Sequence, residues 1–339
     1  LARRNGMALP ADTVEGLREW FAFRTFRHFI EIYVAISRCL KTAADYELIT
    51  YEFGVEMARQ NVRYAEVTFS PSTHAFTLGV PHSTHFAGLT RGRERARREL
   101  GVEIEWVFDI VRDVRERAEY VTRVAIEGQN DGVVALGLAG LEAGNPPEPF
   151  RPWFEQARAA GLHSAPHGGE ISGPESVWGA LRVLGAERIG HGVRATEDPE
   201  LVTHLAERGI PLEVCPTSNV CLGVFPTLGE HPLRRLHDAG VIVTVNSDDP
   251  PLFNTTLNDE VALLASAFGF TADDVEAVDG ILLNAVRHSF LPPQRKAALE
   301  AAMRAELDAL KPAHLGVTPP NSVPGSGNGD QTLPSTSRG

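Results

Sequence analysis

The feature that most constrains this chain is an alternation. Seven short runs rich in β-branched and other apolar residues recur between longer stretches of helical period. The runs are Tyr64–Ser70, Glu103–Ile110, Val133–Gly140, His163–Glu170, Arg188–His191, Pro211–Ser218 and Val241–Asp249. The intervals hold amphipathic helices such as Asp113–Glu127 and Pro149–Ala160. Strand–helix alternation implies a parallel sheet. The later runs are nearly all apolar, as strands covered on both faces must be. The expected fold class is α/β, a (β/α)8 barrel. Such a barrel closes with eight strands, and only helix-like sequence precedes the first of the seven. The count therefore predicts a missing first strand upstream of Leu1. An open seven-stranded sheet is the alternative, and it would leave exposed parallel edges.

Residues 1–62 read as helical. Trp20, Phe21, Phe23, Phe26, Phe29, Ile30, Tyr33, Ile36 and Leu40 recur largely at three- and four-residue steps. They form either a core face or a lid over a pocket. The expected barrel domain spans 1–311 and closes with a helix over Pro293–Leu310. The segment 312–339 is rich in Pro, Gly, Ser and Thr. It cannot bury enough apolar surface to fold and is expected to be a disordered tail. The net charge of −12 argues against nucleic acid or an anionic membrane as partner, leaving a small molecule. No apolar run reaches the roughly 18–20 residues that span a bilayer. Three scattered cysteines, Cys39, Cys215 and Cys221, suggest no disulfide framework. A cytoplasmic location is expected.

Chemistry gathers where the later runs end. His167-Gly168-Gly169-Glu170 places an imidazole and a carboxylate three residues apart, with glycines that let the backbone turn. A neutral imidazole ligates zinc well, and Glu170 can serve as general acid or base. His191 lies between Gly190 and Gly192. Asp248 and Asp249 are adjacent carboxylates, better explained if a cation or a donor engages each. Each motif alone could be a turn or a satisfied core residue. Their recurrence at consecutive strand ends of one barrel makes the chain readable as a metal-dependent hydrolase. Glu66, Thr68 and Ser70 share one strand face and are expected to form a polar layer inside the barrel, with Ser70 able to bind. Cys215 is expected to be packing, and Cys215 with Cys221 does not form a Pro-Cys-x-x-Cys zinc clamp. The other histidines, His74, His85 and His231 among them, are expected to face solvent.

The motifs resemble those of the adenosine/adenine deaminase family of the amidohydrolase superfamily over residues 1 to about 310. The landmarks are 8–15 (ALPADTVE), 63–67 (RYAEV), 138–142 (LAGLE), 167–170 (HGGE), 188–192 (RIGHG), 213–216 (EVCP) and 247–250 (SDDP). The resemblance implies one Zn²⁺ per chain, with His167 and Asp248 as metal ligands. It makes Asp248 also a proton acceptor for the attacking water and His191 the group that orients the hydroxide. Glu170 becomes the donor of a proton to the purine ring. Gly140, through its N–H, and Asp249 become substrate-binding groups. The implied reaction is hydrolytic deamination of a 6-aminopurine nucleoside, adenosine-like to inosine-like plus ammonia. Alternatives are 6-aminodeoxyfutalosine or free adenine as substrate, or a barrel that binds purines without catalysis. The family's His-x-His pair is absent and belongs on the missing strand, so this chain is expected to hold zinc poorly and to be inactive by itself. Gly137 stands where better-known adenosine deaminases carry Asp, and 142–147 (EAGNPP) resembles a bacterial branch of adenine and 6-aminodeoxyfutalosine deaminases.

Overall fold

The computed structural model describes residues 1–23 and 25–315. Three helices lead: α1 (Val14–Trp20), α2 (Phe26–Ser37) and α3 (Ala43–Arg59). The alternation begins with β1 (Tyr64–Phe69), α4 (His82–Leu100), β2 (Glu103–Val111), α5 (Ala118–Glu127), β3 (Val133–Ala139) and α6 (Arg151–Ala159). It continues through β4 (His163–Ser164), β5 (His167–Gly168), α7 (Pro174–Gly179), β6 (Ile189–His191), α8 (Pro199–Arg208) and β7 (Leu212–Val214). Then come α9 (Pro216–Cys221), α10 (Leu233–Asp238), β8 (Val243–Val245), α11 (Pro250–Phe253), α12 (Leu257–Ser266), α13 (Val275–Arg287) and α14 (Pro293–Leu315).

Every strand pairing is parallel, in the orders β1-β2-β3-β4 and β5-β6-β7-β8. β4 and β5 are two halves of one run, split at Pro166. The Ala165 N–H still donates to Leu136 O at 3.1 Å, while the Pro166 carbonyl accepts from the Gly190 N–H at 3.0 Å. Proline has no N–H to continue the pairing with β3, so the ladder passes to β6 at that residue. Seven strand positions result, in the order the alternation predicts. Among the described residues no ladder joins β8 to β1. A cavity of about 280 Å³ lies at that seam, walled by Tyr64–Thr68 on one side and Thr244–Asp248 on the other.

The apolar patterning explains the layers. One core cluster joins Ile104, Phe108, Leu136 and Leu138 of β2 and β3 to Phe154 of α6 and Val121 of α5. A second joins Ile189, Leu212, Val214, Val243 and Val245 to Leu201, Leu205 and Leu236 of the helices outside them. Each fully buried side chain of this size contributes about 1.5–3 kcal/mol. The aromatic residues of 20–36 form a separate cluster in which Phe29 stacks on Phe253 of α11, centroids 5.5 Å apart. That fastens α2 across the C-terminal ends of the strands.

Two expectations about extent change. The helix expected over 113–127 is regular only from Ala118; Arg112–Arg117 is a 3₁₀ stretch with Val114 outside helical geometry. The last helix runs past 311 to Leu315, so the expected tail does not begin at 312. Lys311 ties this helix to α13, its Nζ 2.8 Å from Asp279 and 2.8 Å from Glu276. The rest of the expected tail lies outside the described residues. No helix among the described residues is long and apolar enough to cross a membrane, and the three cysteines are free.

Candidate active site

A cavity of about 580 Å³ opens at the C-terminal ends of the strands. Phe26, Phe29, Ile30, Tyr33 and Val34 of α2 roof it; Thr68, Ser70, Asp109, Gly140, His167, Glu170, His191, Asp248 and Asp249 line its floor and walls. The leading helices thus serve both readings given to them, packing on Phe253 and covering a pocket of small-ligand size. All six residues that the resemblance assigns to the site border this one cavity.

Backbone geometry aims several of them. His191 (φ 61°) and Asp248 (φ 55°) adopt the left-handed region that side chains other than glycine rarely occupy. Two such residues at one site indicate conformations held by their surroundings. Gly190 has a more direct reason to be glycine. A Cβ there would lie 3.0 Å from Cγ of His167, so its absence lets the His167 ring lie across the neighbouring strand.

The polar groups converge. His191 Nε2 is 3.7 Å from Glu170 Oε1 and 3.9 Å from Asp248 Oδ2. The His167 and His191 rings lie 5.3 Å apart. The Ser218 hydroxyl donates to Asp248 Oδ2 at 2.6 Å. Burial raises the Glu170 carboxyl to about 7, the direction that proton donation requires. Burial also raises Asp249 well above the carboxylate range, reinforced by the charge of Asp248 beside it. Burial pulls His191 down, but Glu170 and Asp248 outweigh it, so its imidazole ends above the ordinary value. Burial, then His191, push His167 down to about 4, leaving a neutral imidazole at neutral pH.

These residues fit a zinc ion. His167 Nδ1 is buried without a hydrogen-bond partner. Ligand atoms of His191, Cys215 and Asp248 lie within 4.8 Å of one another. Imidazole and carboxylate are ordinary zinc donors. Cys215 is the less suited member: burial pushes its thiol well up, whereas a thiolate is the ligand form. Its buried position agrees with packing, and Cys221 is exposed.

Sequence reasoning gave no role to two further residues, Glu142 and Asp109. Glu142 anchors the loop that carries Glu170. Its carboxylate accepts the N–H groups of Gly169 at 2.6 Å, Glu170 at 3.2 Å, Ile171 at 2.8 Å and Ser172 at 2.8 Å, and the Ser176 hydroxyl. Burial alone would raise this carboxyl. The Ser176 hydroxyl, the loop N–H groups and Arg112 outweigh that and hold it below the ordinary range. Four backbone donors on one anion form an anion-binding concavity turned inward, and Glu170 is part of it. Glu142→Ala is expected to lower kcat about 10- to 100-fold, the usual loss when a supporting hydrogen-bond partner goes. Amide exchange at 169–172 should rise with it. Unchanged exchange would mean the loop does not depend on Glu142.

Asp109 explains Gly137. A Cβ at 137 would lie 1.9 Å from Asp109 Oδ1, so the carboxyl of β2 occupies the space a side chain on β3 would need. Asp109 is buried and its Oδ1 has no hydrogen-bond partner. Of the strand face expected to be polar, Glu66 pairs with the Arg188 guanidinium at 2.5 Å, which also reaches Glu213 at 2.8 Å, while Thr68 and Ser70 line the cavity of about 580 Å³. The expectation that His74, His85 and His231 face solvent is overturned, since all three are buried. His74 and His85 pack with Tyr46 and Phe69, and the Tyr46 hydroxyl bonds His74 Nδ1 at 2.7 Å. A lone histidine carries no local signal of burial; packing between distant elements decides it.

A family model described as adenosine deaminase matches residues 1–305. The chain belongs to the adenosine deaminase family. As a member it is a hydrolase acting on carbon–nitrogen bonds. It is 43% identical over 317 residues to the aminodeoxyfutalosine deaminase of Streptomyces avermitilis, covering 93% of this chain and 86% of that one. Its fold matches an adenine deaminase from Arthrobacter aurescens with TM-score 0.85 and 32% identity, over 90% of this chain and 92% of that one. It also matches an amidohydrolase from Burkholderia ambifaria with bound Zn, with TM-score 0.84 and 28% identity, over 92% and 86% of the two chains. Family membership and the parallel α/β architecture identify the fold as the barrel of these amidohydrolases.

Proposed function

We propose that this family member carries out zinc-dependent hydrolytic deamination of a 6-aminopurine bearing a sugar-like group on N9, with aminodeoxyfutalosine as the favoured substrate. The observation that carries the chemistry is the convergence of His167, Glu170, His191, Asp248 and Asp249 on one end of a cavity of about 580 Å³. The choice of substrate rests on the 43% identity to a protein of that name and on a cavity whose lining extends from these groups to Thr25–Arg27 and Phe29.

His167 and Asp248 would hold the zinc, which lowers the pKa of a bound water and so supplies the nucleophile at neutral pH. The seam cavity between β8 and β1 also reaches His167, His191 and Asp248. The remaining steps belong to the chain's own groups. Protonated Glu170 adds a proton to the ring nitrogen beside the amino-bearing carbon, which makes that carbon electrophilic. His191 orients the attacking water, and Asp248 takes a proton from it. A carbon–oxygen bond forms, the carbon–nitrogen bond breaks as ammonia leaves with the proton Asp248 took, and the remaining hydroxyl proton restores Glu170 as the 6-oxo group forms. Asp249, kept protonated by burial and by Asp248, donates to the unprotonated nitrogen of the imidazole ring. The N–H of Gly140 binds the opposite ring nitrogen; the open backbone there (φ 90°) suits a close approach.

Turnover of aminodeoxyfutalosine, adenosine and adenine by the enzyme tests the reading. The expected order in kcat/KM is aminodeoxyfutalosine first. Free adenine turned over best would transfer the assignment to an adenine deaminase, and no turnover of any by zinc-loaded enzyme would overturn it.

The pH profile follows from Glu170. The active form is the acid, and kcat/KM reports groups of the free enzyme. The rate should fall about tenfold per pH unit above about 7, as Glu170 loses its proton. A profile level to pH 9 would remove Glu170 as the acid. Stability moves the same way. The folded value lies above the ordinary 4.5, so the stability tied to the neutral carboxyl is complete below 4.5 and is lost as pH rises through about 7.

A further inference from the structure

Behind His191 runs a chain of hydrogen bonds that the mechanism does not use. The Leu233 N–H donates to His231 Nδ1 at 3.3 Å. His231 Nε2 lies 3.1 Å from Asn219 Oδ1. Asn219 Nδ2 lies 3.2 Å from His191 Nδ1. Asn219 is fully buried, and His231 and His191 nearly so, so solvent does not compete for these bonds.

The backbone N–H at one end can only donate, and that sets the direction of every bond after it. His231 Nδ1 must accept, so its proton is on Nε2. That N–H donates to the carbonyl oxygen of Asn219, which turns the amide nitrogen toward His191. The amide can only donate there, so His191 Nδ1 accepts and Nε2 carries the proton. Nε2 is the nitrogen that faces Glu170 and Asp248 at 3.7 and 3.9 Å. We infer that Asn219 and His231 are positioning residues that fix the tautomer of His191, directing an N–H rather than a lone pair at the place where the water attacks.

The element that carries Asn219 is built to be rigid. α9 is a single short helix opening with Pro216, and its Thr217 N–H is held by Glu260 at 3.1 Å. Consecutive side chains of α9 then hold two catalytic groups, Ser218 on Asp248 and Asn219 on His191. The burial of His231 between Phe225 and Phe268, centroids 5.1 and 5.6 Å away, restricts rotation of its ring, so Nδ1 stays on the Leu233 N–H. Burial also pushes its imidazole down to about 3, so it stays neutral.

The catalytic part of this inference rests on the deaminase reading; the tautomer itself does not. The first test is nitrogen-15 NMR of the imidazole of His191 in the purified chain, at a pH above its titration. Nε2–H is expected in the unaltered chain and Nδ1–H in Asn219→Asp, whose carboxylate can only accept. Nδ1–H in the unaltered chain, or no change in the variant, overturns the inference. The second test is kinetic. In the serine protease triad a wrong histidine tautomer lowers kcat about 10⁴-fold. Here Asn219→Asp should lower kcat at least about 100-fold with KM within about threefold. His231→Phe keeps the ring packing and loses the donor, and should lower kcat about tenfold; His231→Gln restores a donor and should recover most of that loss. Equal losses in Phe and Gln would mean His231 acts through packing alone and would overturn its role. If Asn219→Asp fails to fold, the His231 pair and the NMR of the unaltered chain decide. No turnover by the unaltered enzyme would overturn the deaminase reading, with the tautomer still measured.

Discussion

Glu170→Gln is expected to lower kcat by about 10²–10⁴-fold, the range that proton transfer by a positioned acid contributes. The amide has nearly the shape of the acid, so the anchor at Glu142 and the packing of the loop should survive. What it lacks is a transferable proton. Without that proton the purine ring cannot accept charge on nitrogen as the water attacks, and the barrier rises at the chemical step. KM should change little, because the lost interaction belongs to the transition state. The alkaline fall in rate near pH 7 should vanish with it, since burial of Glu170 is what places that limb. A variant retaining both turnover and the alkaline limb would show that another group donates the proton.

Asp248→Ala is expected to be at least as damaging, with loss of zinc as the distinguishing sign. Lewis-acid activation is worth several kcal/mol. At about 1.4 kcal/mol per tenfold, a loss of about 4 kcal/mol corresponds to roughly 10³ in rate. Zinc per chain, measured by atomic absorption after dialysis, should fall below that of the unaltered protein. Glu170→Gln, by contrast, should leave zinc content unchanged. Removing Asp248 also leaves the Ser218 hydroxyl, now 2.6 Å from its oxygen, without that acceptor, and lets Asp249 return toward the carboxylate range as the neighbouring charge goes. Undiminished zinc and turnover would place the metal on other donors. The two variants together separate the acid from the ligand.

Much of this was legible in the residues. The alternation of apolar runs and helical stretches identified a parallel barrel, because strands buried on both faces and helices buried on one leave different periods. The break at Pro166 was not legible in advance: the run 163–170 reads as one strand, and the structure splits it at a residue that cannot donate. His167, Glu170, His191, Asp248 and Asp249 stood out because each ends a strand, and strand ends on one side of a barrel meet in space whatever their separation along the chain. Strand ends and periodicity are local properties, and local properties survive in a sequence.

What only the tertiary structure decided is which polar groups hold the catalytic ones in place. Glu142 supports a loop 27 to 30 residues away. Asn219 reaches His191 across 28 residues, and Asp109 fills the space left by Gly137, 28 positions on, across the β2–β3 ladder. Glutamate, asparagine and aspartate are ordinary surface residues by type, and nothing beside them in the chain signals burial. Their partners are set by the register of the parallel ladder and by the direction of each hydrogen bond, which exist only once the strands are side by side.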